Sequence, residues 1–242
     1  MSFFRIESHP RLGSTNDRAL AHARAGAAEG LVVVAEEQTA GRGRHGRRWH
    51  SPPGNLHASL LLRPDRPLAR CCQLAPLTGL ALRRALAARA PATGADLRLK
   101  WPNDLLLAGG KLAGVLVEAA GDHGRDGVVV GIGVNLRHRP RGLDRPTAAL
   151  AEHGILLTPA DLLAALEPVF LDLYRRWLAE GFAALLDAYR RALAGLGRPA
   201  AVRQAGGEIR GILRDVDAEG AALLEVGGRL VRVIAGEFVA GG

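Results

Sequence analysis

The chain has 242 residues, 48% of them hydrophobic, so it can form one large domain or a domain with a small module. Its net charge of +8 permits an anionic substrate or a nucleic acid and does not decide between them. Its two cysteines, Cys71 and Cys72, are adjacent, which excludes a disulfide framework and fits a reducing compartment. Because no signal-peptide pattern opens the chain and no apolar run could span a bilayer, we predict a cytoplasmic protein.

The first half alternates short apolar runs with polar segments rich in glycine or proline. Helix-capping residues, β-branched runs and an alanine/leucine segment are the signals for its elements. In chain order these signals predict a helix from Ser14 to about Gly26, strands at 31–37 and 56–63 with an exposed loop at 39–54 between them, and a helix at 71–90.

The second half begins with alternating leucines and ends in a different composition. Its signals predict a strand at 97–101, a hairpin over 105–120, a strand at 128–136, and one helix from Thr158 to about Gly195. Near Gly197 the pattern changes to short strands with turns, which predicts a small β-barrel of about forty residues packed on the main domain. We therefore divide the chain into residues 1–196 and 197–242.

Lysine and asparagine are rare and occur at particular places. Lys100 and Lys111 are the only lysines, against thirty arginines, and both fall within residues 99–118. A site that keeps lysine against this bias favours a compact ammonium beside a carboxylate or phosphate. The four asparagines lie in polar or glycine- and proline-flanked positions between apolar runs: Asn16, Asn55, Asn103 and Asn135.

A glycine-rich loop follows the strand at 31–37. Its residues 41–46 match the dinucleotide-binding pattern G-x-G-x-x-G, which requires a helix to begin there. The Pro52-Pro53-Gly54 sequence prevents a clean helix, so we reject that interpretation. Two alternatives stay open for the four arginines of this loop: a loop that folds over an anion, or a solvated basic loop.

A second polar group lies around the predicted hairpin. Asn103 and Asp104 follow a strand and a proline, and Lys111 opens the next strand after a turn, so these side chains can meet at one edge of a sheet. Glycines inside the neighbouring strands indicate a close approach by backbone or ligand, at Gly114, Gly131 and Gly133.

Five segments in this order, GSTND, EEQTAGRGRHGRRW, KWPNDLLL, GGKLAGVLVE and GIGVNL, strongly resemble biotin–protein ligases. The resemblance runs from about Gly13 to the AGEF segment near the end. It implies an α+β fold, with a mixed β-sheet and flanking helices like those of class II synthetases, followed by an SH3-like barrel. It also implies biotin, ATP and Mg²⁺. Only about a dozen residues precede GSTND, so we expect no DNA-binding domain and no specific DNA partner.

The resemblance also implies roles for individual residues. Hydroxyl and amide groups that can match a ureido group would contact the biotin head: Ser14, Thr15, Asn16 and Gln38. Arg42, Gly43 and Arg44 would form the loop that closes on the acyl-adenylate, and Lys111 would be the cation at the biotin carboxylate and α-phosphate. The nucleotide side comprises Arg44, Arg47, Trp49, Asn103 and Lys111, and the catalytic residues are Lys111, Arg44 and Asp104. No residue is assigned as a metal ligand.

The implied reaction has two steps. The biotin carboxylate attacks the α-phosphate of ATP to give biotinoyl-AMP, and a lysine of a biotin carboxyl carrier domain then attacks the mixed anhydride. A lipoate–protein ligase or octanoyltransferase is the rival enzyme, and a basic nucleic-acid-binding protein is the rival of another class. The sequence leaves the oligomeric state, including a homodimer, open.

Overall fold

The structure is a computed structural model, and it describes residues 2–91, 94, 96–204 and 206–239. Two sheets organise the described chain. Seven strands form the main sheet in the order β1-β2-β3-β7-β6-β5-β4, with β1 and β2 parallel and the other neighbours antiparallel. Their bounds are β1 (Arg5–Leu12), β2 (Leu31–Gln38), β3 (Leu56–Leu62), β4 (Leu97–Lys100), β5 (Asp104–Leu107), β6 (Gly110–Ala120) and β7 (Gly127–Val134).

Helices cover both faces of this sheet. Their bounds are α1 (Thr15–Arg24), α2 (Leu68–Cys71), α3 (Leu74–Arg89), α4 (Pro159–Glu180) and α5 (Leu186–Ala192). The larger core packs α3 and α4 against one face, through side chains such as Leu60 and Val130. The smaller core packs α1 against the other face, through alternate strand residues such as Leu61 and Val129. Because α1 covers only part of its face, the rest of that face is open to a ligand.

Local sequence explains where the helices begin. Ser14 is the N-cap of α1, and its hydroxyl accepts a hydrogen bond from the Asp17 amide. Thr158 caps α4 in a reciprocal capping box with Asp161, with Pro159 in the first turn. Both starts were predicted. No described helix is both long and apolar enough to cross a bilayer.

One strand of the main sheet was not predicted, and one predicted helix is two helices. The strand β1 was missed, because this edge strand is exposed at most of its positions and carries the charged residues Arg5, Glu7 and Arg11. The single helix from Thr158 to Gly195 is broken at Gly181, which adopts φ +75 before a short 3₁₀ turn leads into α5. The helix predicted at 71–90 is present as α3, and the short α2, which was not predicted, precedes it with the cysteine pair at the junction.

The C-terminal strands form a separate five-stranded antiparallel sheet. It contains β8 (Pro199–Gln204), β9 (Gly207–Val216), β10 (Ala222–Val226), β11 (Arg229–Val233) and β12 (Glu237–Val239) in the order β11-β10-β9-β8-β12. This arrangement agrees with a small SH3-like domain, but over the described residues the two edge strands do not pair, so the predicted barrel is not closed. The strand β8 was also missed. The division at residue 197 stays a prediction.

Buried polar contacts join the C-terminal sheet to the rest of the chain. The Gln73 side chain, only 3% exposed, accepts a hydrogen bond from the Trp177 indole at 2.7 Å and donates one to the Glu219 carbonyl at 3.0 Å. The Trp101 indole donates to the Gly220 carbonyl, and its ring packs edge-on against Phe238. The C-terminal sheet is therefore held at a fixed place beside β4 and β5.

We expect Gln73→Ala to lower the free energy of unfolding by about 2–3 kcal/mol, because it strands a buried indole N–H and a carbonyl. The matched control is Gln204→Ala, which removes one amide that donates to the Ala235 carbonyl near the surface, and it should cost less than about 1 kcal/mol. Urea unfolding of both variants measures this. Equal losses of unfolding free energy in the two variants would show that Gln73 does not join the C-terminal sheet to the rest of the chain.

Candidate functional site

A cleft opens on the α1 face of the main sheet, over β7 and β6. Its floor is almost bare, because three glycines of these strands point no side chain into it: Gly114, Gly131 and Gly133. A Cβ atom at Gly133 would lie 2.6 Å from Nε1 of Trp49, and one at Gly131 would lie 3.0 Å from Cγ of Asn16. The close approach predicted for these glycines is confirmed, since cleft side chains rest directly on the sheet backbone.

One end of the cleft is a network of hydroxyl and amide groups around the start of α1. The backbone N–H and hydroxyl of Thr15 both donate to Oε1 of Gln38, at 2.8 and 3.0 Å. The Ser59 hydroxyl lies 2.7 Å from the Thr15 hydroxyl and 2.5 Å from Oδ1 of Asn16. Ser14 completes this polar pocket, and all of these groups are buried or half-buried. Such a pocket can recognise a small neutral group that carries both donors and acceptors.

The loop at residues 39–54, which we call the glycine loop, lies along the cleft. It turns back on itself through a bridge between Arg42 and Arg48 and a 3₁₀ turn at Arg44–Gly46. Arg42 forms ion pairs with Asp17 at 2.7 Å and with Glu118 at 3.1 Å. The hydrogen bond that Arg42 donates to the Asp17 carboxylate, together with the charge of Glu118, raises the pKa of Arg42. The loop is thus held to α1 and β6 rather than left in solvent.

Lys111 lies in the middle of the cleft. Its Nζ is 2.5 Å from Oδ1 of Asp104 and 5.6 Å from the centre of the Trp49 ring. Only 14% of the lysine side chain and 16% of the aspartate side chain are exposed. Burial lowers the pKa of Lys111, and the Asp104 carboxylate opposes that shift. The convergence of Asp104 and Lys111 predicted from the sequence is confirmed.

The other end of the cleft is rich in guanidinium groups. Arg44 donates to Oδ1 of Asn103 at 3.3 Å, and the Asn103 amide donates to the Val115 carbonyl at 2.8 Å. Burial lowers the pKa of Arg44, while Asp104 and Glu237 act in the opposite direction. Arg47 pairs with Glu237 of β12, which brings the C-terminal sheet to the cleft. An aromatic ring beside several fixed cations suits a planar, anionic ligand.

All of the residues assigned from the sequence line this one cleft. They come from four separate segments of the chain, and the structure brings them together in one place. Lys100, for which the sequence indicates little more than a charged strand position, lies at the rim of the same cleft.

Sequence reasoning missed several residues of the site. Ser59 and Glu118 complete the polar pocket, while Arg145 and Glu237 lie at the cationic end. Partial burial acts to raise the pKa of Glu237, yet Arg47, Arg145 and Lys100 together lower it. Glu118 and Glu237 lie within the quoted GGKLAGVLVE and AGEF segments, but no role was predicted for any of the four, because each acts through contacts between positions far apart in the chain.

The described residues do not offer a metal site of their own. No three histidine, cysteine, aspartate or glutamate side chains gather as ligands in the part of the chain that the structure describes. The cleft carboxylates Asp104, Glu118 and Glu237 each already contact a lysine or an arginine. These residues therefore do not fit a protein-held Mg²⁺.

Two family models match the chain. The biotin/lipoate A/B protein ligase family matches residues 9–135, and the biotin protein ligase C terminal domain matches residues 195–241. Together these matches include the strands and loops that form the cleft and the whole of the C-terminal sheet.

Individual relatives agree with the family models. The biotin–[acetyl-CoA-carboxylase] ligase of Paracoccus denitrificans is 41% identical over 226 residues, which cover 88% of this chain and 91% of the relative. The ligase of the same name from Mycobacterium tuberculosis is 36% identical over 237 residues, 94% of this chain and 85% of the relative. The structure of biotin protein ligase from Aquifex aeolicus in complex with biotin and ATP is 27% identical, with a TM-score of 0.82 over 97% of each chain.

We expect Gly133→Ala to push the Trp49 ring away from the floor of the cleft, because the new methyl group would overlap the indole. Trp101 and Trp177 are 2% and 1% exposed, so quenching of tryptophan fluorescence by acrylamide should report mainly on Trp49 and should increase. The crowding should also cost about 1–3 kcal/mol of stability. The control is Gly13→Ala, beside the same cleft but with open space for a methyl group. Unchanged quenching in Gly133→Ala would contradict the close packing.

Proposed function

The chain belongs to the biotin/lipoate A/B protein ligase family, and we infer that it is the ligase that activates biotin with ATP and attaches it to a protein. It forms biotinoyl-5'-AMP from biotin and ATP, and it transfers the biotinyl group to a lysine. The observation that carries this function is the order of groups along one cleft. A polar pocket, a paired ammonium, and an aromatic ring with arginines follow one another over a bare sheet floor.

We propose that the polar pocket holds the ureido ring of biotin. A ureido group has two N–H donors and one carbonyl acceptor, and the pocket presents hydroxyl and amide groups of both kinds. The residues assigned to this end are Ser14, Thr15, Asn16 and Gln38. Gln38 is itself fixed by Ser51, whose hydroxyl lies 2.9 Å from its Nε2, so the pocket is organised before biotin arrives.

Lys111 is proposed to act at the reacting centre. In the first step a biotin carboxylate oxygen attacks the α-phosphorus, the bond to the bridging oxygen breaks, and pyrophosphate leaves. Two anions must approach each other, so a cation already in place lowers the barrier without reorganisation. The Asp104 carboxylate keeps the largely buried amine charged and holds its Nζ beside Gly114.

The nucleotide is proposed to lie at the cationic end. The exposed part of the Trp49 ring offers a face for the base. The guanidinium groups of Arg44 and Arg47 can each donate two parallel hydrogen bonds to phosphate oxygens. Asn103 belongs to this end as well, and its amide accepts from Arg44 and donates to the Val115 carbonyl, so it also positions Arg44. Arg42, Gly43 and Arg44 of the glycine loop would cover the adenylate and keep water from it.

In the second step a lysine amine of the acceptor attacks the carbonyl carbon of the mixed anhydride, and AMP leaves. The names of the relatives support the biotin carboxyl carrier protein of acetyl-CoA carboxylase as the acceptor. Because the cleft carboxylates are engaged, we propose that Mg²⁺ enters bound to the ATP phosphates, as is common for this ion. We propose a cytoplasmic location, and a homodimer stays an open prediction.

The direct test supplies ATP with biotin or with lipoate and measures pyrophosphate, and then supplies a carrier domain and measures biotin transfer. Pyrophosphate with biotin only, and transfer only when ATP is present, is the expected result. Pyrophosphate with lipoate only would favour the rival enzyme. The relatives named above are biotin ligases, and neither that rival nor a nucleic-acid-binding function receives support from them.

We expect Lys111→Arg to lose most adenylation activity, on the order of 10²-fold, because a wide guanidinium would crowd a site built for an ammonium. Lys100→Arg, at the rim of the cleft, is the matched control and should lose much less. Pyrophosphate release and biotin affinity are measured for both. If Lys111→Arg is near normal, or Lys100→Arg is more damaged, Lys111 is not the catalytic cation.

Asp104→Asn should change the pH dependence of adenylation in a defined direction. Burial lowers the pKa of Lys111 and Asp104 opposes this, so loss of the carboxylate lowers that pKa further. The ammonium is the active form, and activity falls as pH rises through its pKa. The alkaline loss of pyrophosphate release should therefore begin at lower pH in Asp104→Asn than in the parent.

The control for that experiment is Asp187→Asn, which alters an exposed carboxylate on α5. Its pH profile should match the parent. If the activity of Asp104→Asn falls at the same alkaline pH as that of the parent, or at a higher pH, Asp104 does not hold the charge on Lys111.

A further inference from the structure

Glu118 of β6 joins two parts of the site that the proposed function treats separately. Its Oε2 accepts a hydrogen bond from Nδ2 of Asn16 at 2.5 Å and pairs with Nη2 of Arg42 at 3.1 Å. Its Oε1 also accepts from Arg42, at 3.2 and 3.4 Å. One carboxylate therefore binds an amide of the polar pocket and a guanidinium of the glycine loop.

The position of Glu118 follows from the register of the sheet. On one face of β6, Gly114, Leu116 and Glu118 are successive side-chain positions, and Gly114 and Leu116 pair with Gly133 and Gly131 of β7. Gly114 marks the reacting centre, because the Lys111 side chain lies over it. Four residues of strand place Glu118 about 13 Å farther along. The strand that presents the Lys111 cation in the middle of the cleft thus presents the Glu118 anion at the end with the polar pocket.

The carboxylate fixes the orientation of the Asn16 amide. An ionised carboxylate only accepts hydrogen bonds, so it must face the NH₂ group and not the oxygen. Oδ1 of Asn16 then points toward Ser59, whose hydroxyl lies 2.5 Å away. With both contacts in place, the amide cannot turn by 180° without losing a charge-assisted hydrogen bond.

The same carboxylate ties down the glycine loop. Arg42 has two anionic partners, Glu118 and Asp17, and both Glu118 and Arg42 are largely covered, at 28% and 27% exposed. Asp17 is 60% exposed, so its attraction for Arg42 is more strongly screened by water. Asp17 contacts Arg42 without contacting Asn16, which makes it the natural comparison.

We propose that Glu118 is a positioning residue with two effects, and the proposal rests on the function proposed above. It sets the Asn16 amide for the ureido group, which determines biotin affinity. It also anchors the loop through Arg42, which determines how long the adenylate is retained. Filling of the pocket and closure of the loop are coupled because both depend on this one carboxylate.

The test uses Glu118→Gln in the full chain, which keeps the shape and removes the charge. A glutamine can present either its oxygen or its nitrogen to Asn16, so the Asn16 orientation is no longer fixed. The KM for biotin in pyrophosphate release should rise on the order of tenfold, as for the loss of one hydrogen bond to a charged group. The rate at saturating biotin should stay within about twofold, because Lys111 and Asp104 are untouched. Release of free biotinoyl-AMP should become faster.

Asp17→Asn separates the two effects. This variant weakens the hold on Arg42 and leaves the hydrogen bond between Glu118 and Asn16 in place, so adenylate release should quicken while the KM for biotin stays close to that of the parent. Glu225→Gln breaks a comparable ion pair with Arg214 in the C-terminal sheet and should change neither quantity.

The proposal is overturned if Glu118→Gln leaves both the biotin KM and adenylate release unchanged. It is also overturned if Asp17→Asn raises the biotin KM as much as Glu118→Gln does. A rise in the biotin KM that appears only in variants with a lower melting temperature would likewise overturn it, because the effect would then come from lost stability. A parent chain that makes no pyrophosphate from biotin and ATP would contradict the proposed function instead, and the two failures are therefore distinguishable.

Discussion

A buried ammonium must be paired, and the pairing of Lys111 with Asp104 is the contact around which the cleft is organised. Asp104 opens β5 and Lys111 lies near the start of β6, so the hairpin geometry delivers both groups to one place. The lysine side chain then lies back over Gly114, toward the centre of the sheet. Without the carboxylate, burial would favour the neutral amine, and the site would lose the charge that two approaching anions require.

The bare strand floor is the second requirement. Gly114 and Gly133 are direct neighbours across β6 and β7, and Gly131 is the next position along β7 on the same face. A side chain at Gly133 would occupy the space of the Trp49 ring, and one at Gly131 would occupy that of Asn16. The same face is filled by apolar residues under α1, so the change from Val129 to Gly131 marks where the core ends and the cleft begins.

Sequence patterns predicted the parts of the site that lie close together in the chain. The Ser14 cap, the Asn103-Asp104 turn and the strand glycines each carry a local signal, and the structure places all of them around one cleft. Ser59 carries no such signal, and Glu118, at the end of the GGKLAGVLVE segment, was given no role. Only sheet register brings Glu118 to Asn16, 102 residues away. The edge strand β1 and the break at Gly181 were missed because tertiary packing, and not local periodicity, determines them.

Lys100 and Lys111 are the only lysines in the chain, which allows a direct test of the claim that Lys111 lies at the reacting centre. An amine-reactive ester can be applied with and without biotin and ATP, and the acylation of each lysine followed by peptide mass spectrometry. The account predicts that Lys111 reacts in the free protein and is strongly protected when both substrates are present, while Lys100 keeps most of its reactivity. Equal labelling of Lys111 with and without the substrates, or protection confined to Lys100, would contradict it.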